Sequence, residues 1–218
     1  MEAFLNSDYI KPMPYLLEGL VFTLLITFAG LFFGFIIGAF TGLGRLSKNK
    51  FIYGLSSVYV EVIRGTPLLA QILFIYFGLS QLMDLNMHKL VAAILAIALN
   101  AGAYIAEIVR GAVHSIDKGQ MEAGRSIGLT KNQTMRYIIW PQAFKRMIPP
   151  LGNQFVISLK DTSLFSAIAV GEMVYQAKTY YATTFTPFET LTMVCVLYLL
   201  ITIPTSIYLR RVERRLDV

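Results

Sequence analysis

The sequence predicts an all-α integral membrane protein with five transmembrane helices and a polar helix pair between the third and fourth. Three observations lead there. Of the 218 residues, 56% are hydrophobic and only 15% charged, whereas charged residues make up about a quarter of soluble domains. Five apolar runs, at 15–43, 51–82, 90–113, 148–170 and 188–209, reach the roughly 20 residues that cross a hydrocarbon core of about 30 Å. One long polar stretch, 114–146, separates the third run from the fourth. No heptad, solenoid repeat or low-complexity linker divides the chain, so 1–218 reads as one domain.

The first run follows a flank with Glu2, Asp8 and only Lys11, with no small-residue cleavage pattern after it. It is expected to stay in the mature chain and not to act as a cleaved signal. Gly34, Gly38 and Gly42 recur every four residues and form a strip suited to close helix contact, with dimerisation as one use. The second run holds Glu61, Arg64, Gly65, Thr66 and Pro67 at its middle. A central charge costs about 2.5–3.5 kcal/mol on insertion scales, and Pro67 removes a backbone donor, so a break is expected here. Glu61 and Arg64 are three apart and can neutralise each other or border a transport route.

In the third run Asn100, Tyr104 and Glu107 share one helix face. Glu107 suits a packed, satisfied carboxylate and Asn100 a solute path. Lys160, Asp161, Thr162 and Ser163 interrupt the fourth run, predicting a second broken segment of the kind tolerated at membrane depth only inside protein or beside water. Glu172, just beyond it, is expected to be solvated or to face a receptor. The lone Cys195 excludes an intrachain disulfide and reads as a small apolar residue facing lipid or a neighbour.

Orientation follows the distribution of Lys and Arg, which concentrate in cytoplasmic loops. Fourteen of the nineteen lie at 45–50, in 110–146 and at 210–215; Lys11, Lys89 and Lys178 lie on the other side, and Arg64 and Lys160 within spans. The N-terminus is expected outside and the C-terminus in the cytoplasm. This asymmetry accounts for the net charge of +6 without nucleic-acid binding. Tyr15, Tyr53, Tyr180, Tyr181 and Tyr208 fall where aromatic belts form.

The two polar clusters suit a zwitterionic solute. Glu61 and Asp161 can accept from an ammonium, and Arg64, Lys160, Thr66, Ser163 and the backbone at Gly65 can donate to a carboxylate. The same groups can instead pair among themselves. His88 and His114 sit in different loops and form no metal pair. Ser and Asp lack a partner His at membrane depth, which argues against a hydrolytic triad.

In the polar stretch, Asp117 can cap a short helix over 118–127, Gly128 can end it in a left-handed turn, and Thr130 with Gln133 makes a capping box for a second helix. The spacing of Glu122-Ala123-Gly124, Gly128, Ile138 and Pro141 resembles the EAA loop of ATP-binding-cassette importer membrane subunits, with Gly124 in place of the second Ala and Trp140 in place of a Leu. The runs Arg64-Gly65-Thr66-Pro67-Leu68-Leu69-Ala70-Gln71, Asn100-Ala101-Gly102-Ala103-Tyr104-Ile105-Ala106-Glu107 and Leu159-Lys160-Asp161-Thr162-Ser163-Leu164 look like the polar amino acid uptake branch.

That resemblance implies a five-span permease subunit in a prokaryotic plasma membrane. It would pair with an identical or closely related permease, two cytoplasmic ATPase subunits and an extracytoplasmic amino-acid receptor. No GxxxxGK[ST] loop occurs, so the chain is expected to be non-catalytic and without cofactor, with ATP and Mg on the partner. Glu122, Ala123, Gly124, Gly128 and Pro141 are the expected ATPase-coupling residues; Glu61, Arg64, Gly65, Thr66, Asn100, Lys160, Asp161 and Ser163 are the expected solute residues. Their acids suit arginine, lysine or histidine, and glutamine fits the same groups. The alternatives are an ion-coupled secondary amino acid transporter using those charges as a relay and a non-transporting sensor subunit.

Overall fold

A computed structural model describes residues 8–216; residues 1–7, part of the flank weighed above as a signal, lie outside them. The described residues form helices α1 (Met13–Gly44), α2 (Lys50–Arg64), α3 (Leu68–Leu82), α4 (Lys89–His114), α5 (Lys118–Ser126), α6 (Trp140–Asp161), α7 (Met173–Thr184) and α8 (Pro187–Leu216). Among the described residues α1, α4 and α8 are long and apolar enough to cross a bilayer, and α2 with α3 qualifies as a pair bent by 103°. The break predicted at 65–67 is that bend. α6 carries Lys145 and Arg146 and an internal Pro149-Pro150, and is not among the strongly apolar helices.

The glycine strip works within the chain. α1 and α4 pack along most of their length, and a Cβ on Gly38 would lie 2.7 Å from the Gly102 carbonyl oxygen and 2.6 Å from Ile105 Cβ. Small residues let the two backbones approach, and dispersion contacts hold them where lipid gives no hydrophobic drive. The opposite face of α1 exposes Val21, Phe28, Phe32 and Phe40, as a lipid-facing surface should.

The fourth predicted span differs from expectation. One helix runs without a break from Lys131 through a wide π turn at Met135–Ile139 and on to Asp161. The wide turn precedes Pro141, whose ring would crowd the carbonyl of a regular preceding turn. Lys160 to Ser163 therefore do not interrupt a helix at its middle. They sit at its end, where it tightens into a 3-10 segment, Thr162–Ile168, that Ala169 closes in a left-handed conformation (φ 56°).

Glu172 is not solvated. It is fully buried and caps α7, accepting from the N–H groups of Val174 at 2.8 Å and Tyr175 at 2.7 Å. The next residue, Met173, donates its N–H to Thr23 Oγ1 of α1 at 3.3 Å. α7 is thereby pinned against α1 and α8, a layer the apolar runs did not predict.

Candidate functional site

Two sites emerge, one at the bend between α2 and α3 and one on the helical hairpin that follows α4. At the bend, Pro67 cannot donate to the Ile63 carbonyl, and Thr66 Oγ1 turns back to the Val62 carbonyl at 2.9 Å. Inside the angle lies an apolar recess of about 420 Å³ whose walls include Val62, Ile63, Thr66, Gln71, Phe74 and Leu99. Asn100, buried on α4, reaches it by donating from Nδ2 to Gln71 Oε1 at 3.2 Å. Tyr59 ties α2 to the same stretch of α4, its hydroxyl donating to the Leu99 carbonyl at 2.6 Å.

Glu61 and Arg64 do not pair with each other. Arg64 reaches Glu107 at 3.9 Å and lies 5.2 Å from the centroid of the Tyr104 ring. Glu61 meets Arg45 at 3.6 Å. Arg45, counted above among the basic residues of the cytoplasmic loops, has a side chain only 9% exposed and donates to Glu107 at 2.6 Å. Arg110 completes the group as a further donor to Glu107. Three guanidiniums thus surround one carboxylate where α1, α2 and α4 meet, which bears out the reading of Glu107 as satisfied.

Gly65 and Thr66 are exposed at the corner. Lys160, Asp161 and Ser163 lie elsewhere: Lys160 and Asp161 end α6, and Ser163 belongs to the 3-10 segment that follows, which packs against the first turns of α3. No ion pair among the described residues joins them to Glu61 or Arg64 or links Lys160 to Asp161. The structure therefore places the segment that follows Lys160 and Asp161 beside the first helix turn after the bend, with no ion pair between the two sets of charges among the described residues.

The hairpin is built as its sequence predicts. Asp117 Oδ1 accepts from the Gly119 N–H at 2.7 Å. Gly128, at φ 88°, ends α5 as Leu129 N–H reaches the Gly124 carbonyl and Gly128 N–H the Arg125 carbonyl, both at 3.1 Å, a Schellman arrangement. Thr130 and Gln133 form the reciprocal capping box. Gln142 Nε2 donates to Gln120 Oε1 at 3.2 Å and Arg146 to Ser115 Oγ at 3.0 Å, holding the two arms together. Gly124 is the buried contact: a Cβ there would sit 2.5 Å from Thr134 Cγ2. Glu122, Ala123, Gly128, Ile127 and Pro141 are exposed, so a rigid surface, part acidic and part apolar, faces outward.

Residues 30–218 match the family described as binding-protein-dependent transport system inner membrane component. The chain belongs to that family. It is 46% identical over 207 residues to the glutamine transport system permease protein GlnP of Escherichia coli (strain K12), covering 94% of each chain. It is 44% identical over 165 residues to the L-cystine transport system permease protein TcyB of Bacillus subtilis (strain 168), covering 76% of this chain and 70% of that one. Its structure superimposes with a TM-score of 0.92 on the crystal structure of an amino acid ABC transporter with histidines, at 39% identity, covering 96% of this chain and 99% of that chain. These relatives are permease subunits of ABC transporters, as the sequence resemblance implied. The secondary-transporter alternative is not favoured by them.

Sequence reasoning missed Arg45, Gln71 and Tyr59 in this inner-membrane component. The Gln71 signal was available: a glutamine four residues after Pro67 on a helix presents a donor to the carbonyl the proline leaves free.

Proposed function

We propose that this family member is the permease subunit of an importer that carries a polar amino acid, glutamine first, into the cytoplasm. Two ATP-binding-cassette subunits grip the α5 hairpin and hydrolyse ATP with their own Mg. A second permease, identical or closely related, completes the pore, and an extracytoplasmic receptor delivers the solute. The chain crosses the inner membrane five times, with α2 and α3 as one bent span, its N-terminus outside and its C-terminus inside.

The observation that carries this reading is the hairpin. It is doubly capped, cross-tied to Ser115 and Gln120, and continuous through Lys131–Asp161 with the helix that ends at Lys160 and Asp161. A push on Glu122 and Ala123 is therefore delivered to the solute-side cluster by a stiff lever. The solute route passes Arg64, Gly65 and Thr66 at the bend and Lys160, Asp161 and Ser163 beside α3, with Glu61 and Asn100 supporting the bend from behind. Glutamine is favoured over a basic solute because Glu61 and Glu107 already face arginines, leaving Asp161 as the acid free to receive an ammonium, and because the glutamine permease is 46% identical.

A solute panel tests the assignment. In the assembled complex, receptor loaded with glutamine should stimulate ATP hydrolysis more than receptor offered arginine, lysine or histidine. Stimulation by the basic amino acids alone would reverse the substrate assignment.

A further inference from the structure

The bend carries a second level of organisation. Gln71 Nε2 donates to the Ile63 carbonyl at 2.7 Å, filling the position the missing Pro67 N–H would occupy in a continuous helix. The same nitrogen lies 3.0 Å from the Thr66 carbonyl and 2.9 Å from Thr66 Oγ1, so a side chain of α3 reaches back across Pro67 to oxygens at the end of α2 and at the corner. Its own oxygen accepts from Asn100 Nδ2 at 3.2 Å. An amide has one donor side and one acceptor side. Asn100 occupies the acceptor side and so turns the donor side toward Ile63 and Thr66.

We propose that Gln71 is the positioning residue that sets the angle between α2 and α3, with Asn100 aiming it, and that this pair carries movement of α4 into the bend during transport. The inference rests on the importer reading above. α4 is the right messenger: it bears Asn100 at its middle and ends at His114, directly before α5. The recess inside the angle is walled by Ile63, Thr66 and Gln71 themselves, so a change in the bend changes the recess. Without the amide, α3 can swing independently of α4, and ATP is hydrolysed without moving solute.

The test is solute moved per ATP hydrolysed by the full complex in proteoliposomes, for Gln71→Met, which keeps length and loses both donors, and Asn100→Ala, which keeps the donors and loses their aim. Loss of the hydrogen bonds that Gln71 gives to the Ile63 and Thr66 oxygens predicts a fall of about tenfold in that ratio for Gln71→Met and about threefold for Asn100→Ala, with ATP hydrolysis within about twofold of wild type. If Gln71→Met does not assemble, Asn100→Ala decides alone. A ratio unchanged in Asn100→Ala overturns the proposal. So does a change confined to the half-saturating solute concentration, which would mark a solute contact, or a proportional loss of uptake and hydrolysis, which would mark packing. Wild-type vesicles that fail to take up solute with ATP would instead overturn the importer reading on which the proposal stands.

Discussion

Arg45 Nη1 donates to Glu107 Oε2 at 2.6 Å, joining residues 62 positions apart. The Arg45 side chain is 9% exposed and that of Glu107 24%, whereas Glu61, the other acid on Arg45, is 72% exposed. Removing the central acid leaves three guanidiniums facing one another. Glu107→Gln should therefore destabilise the protein by about 1.5 kcal/mol, between the cost of breaking an exposed pair and a buried one because the acid is only partly buried, while Glu61→Gln should cost about 0.5 kcal/mol. Thermal unfolding of the two variants in detergent orders them.

Gly124 stands where the importer pattern has alanine, and the reason is local. Thr134 is fully buried, its hydroxyl held by the Thr130 carbonyl at 3.0 Å, and its methyl fills the space of the missing Cβ. Gly124→Ala should loosen the hairpin by about 2 kcal/mol through overpacking. Thr134→Ser in the same chain, which deletes the methyl and keeps the hydroxyl, should recover part of that loss; a double-mutant cycle showing additivity would contradict the contact.

Glu172 caps α7 from a fully buried position with two backbone donors. Glu172→Ala leaves both unpaired and should cost about 2 kcal/mol. Glu172→Gln retains one acceptor oxygen and should lose less. Protease cleavage within 173–184, compared across the three proteins, reads the release of α7 directly.

Glu122 and Gly128 should separate coupling from folding. Glu122 is exposed without an ion-pair partner among the described residues, so Glu122→Ala should leave unfolding temperature unchanged while lowering solute-stimulated ATP hydrolysis. Gly128→Ala, at φ 88°, should cost about 1 kcal/mol through left-handed strain. Equal thermal shifts in the two variants would show that the surface is not divided this way.

The helices long and apolar enough to cross a bilayer were legible because length and apolarity fix them: the runs 15–43 and 90–113 became Met13–Gly44 and Lys89–His114. The bend was legible because Gly65 and Pro67 break the backbone ladder wherever they stand. Capping chemistry, equally local, gave the hairpin. Arg45 was not legible, since a basic residue at the end of an apolar run serves topology equally well when it points to water. Its inward turn depends on Glu107, which only the packing of α1 on α4 brings near. Lys160 to Ser163 read as a break because charge within an apolar run has the same pattern at a helix end as at its middle. Glu172 read as exposed because α7 is a short helix of mixed polarity with no distinct apolar face, and its burial comes from α1 and α8.

ATP-driven uptake by proteoliposomes holding this chain with its ATPase and receptor tests the central claim most directly. With labelled glutamine outside and ATP available to the ATPase side, accumulation should require ATP and fall when Asp161 is replaced by Asn. Accumulation that ignores ATP and follows an imposed proton or sodium gradient would contradict the account.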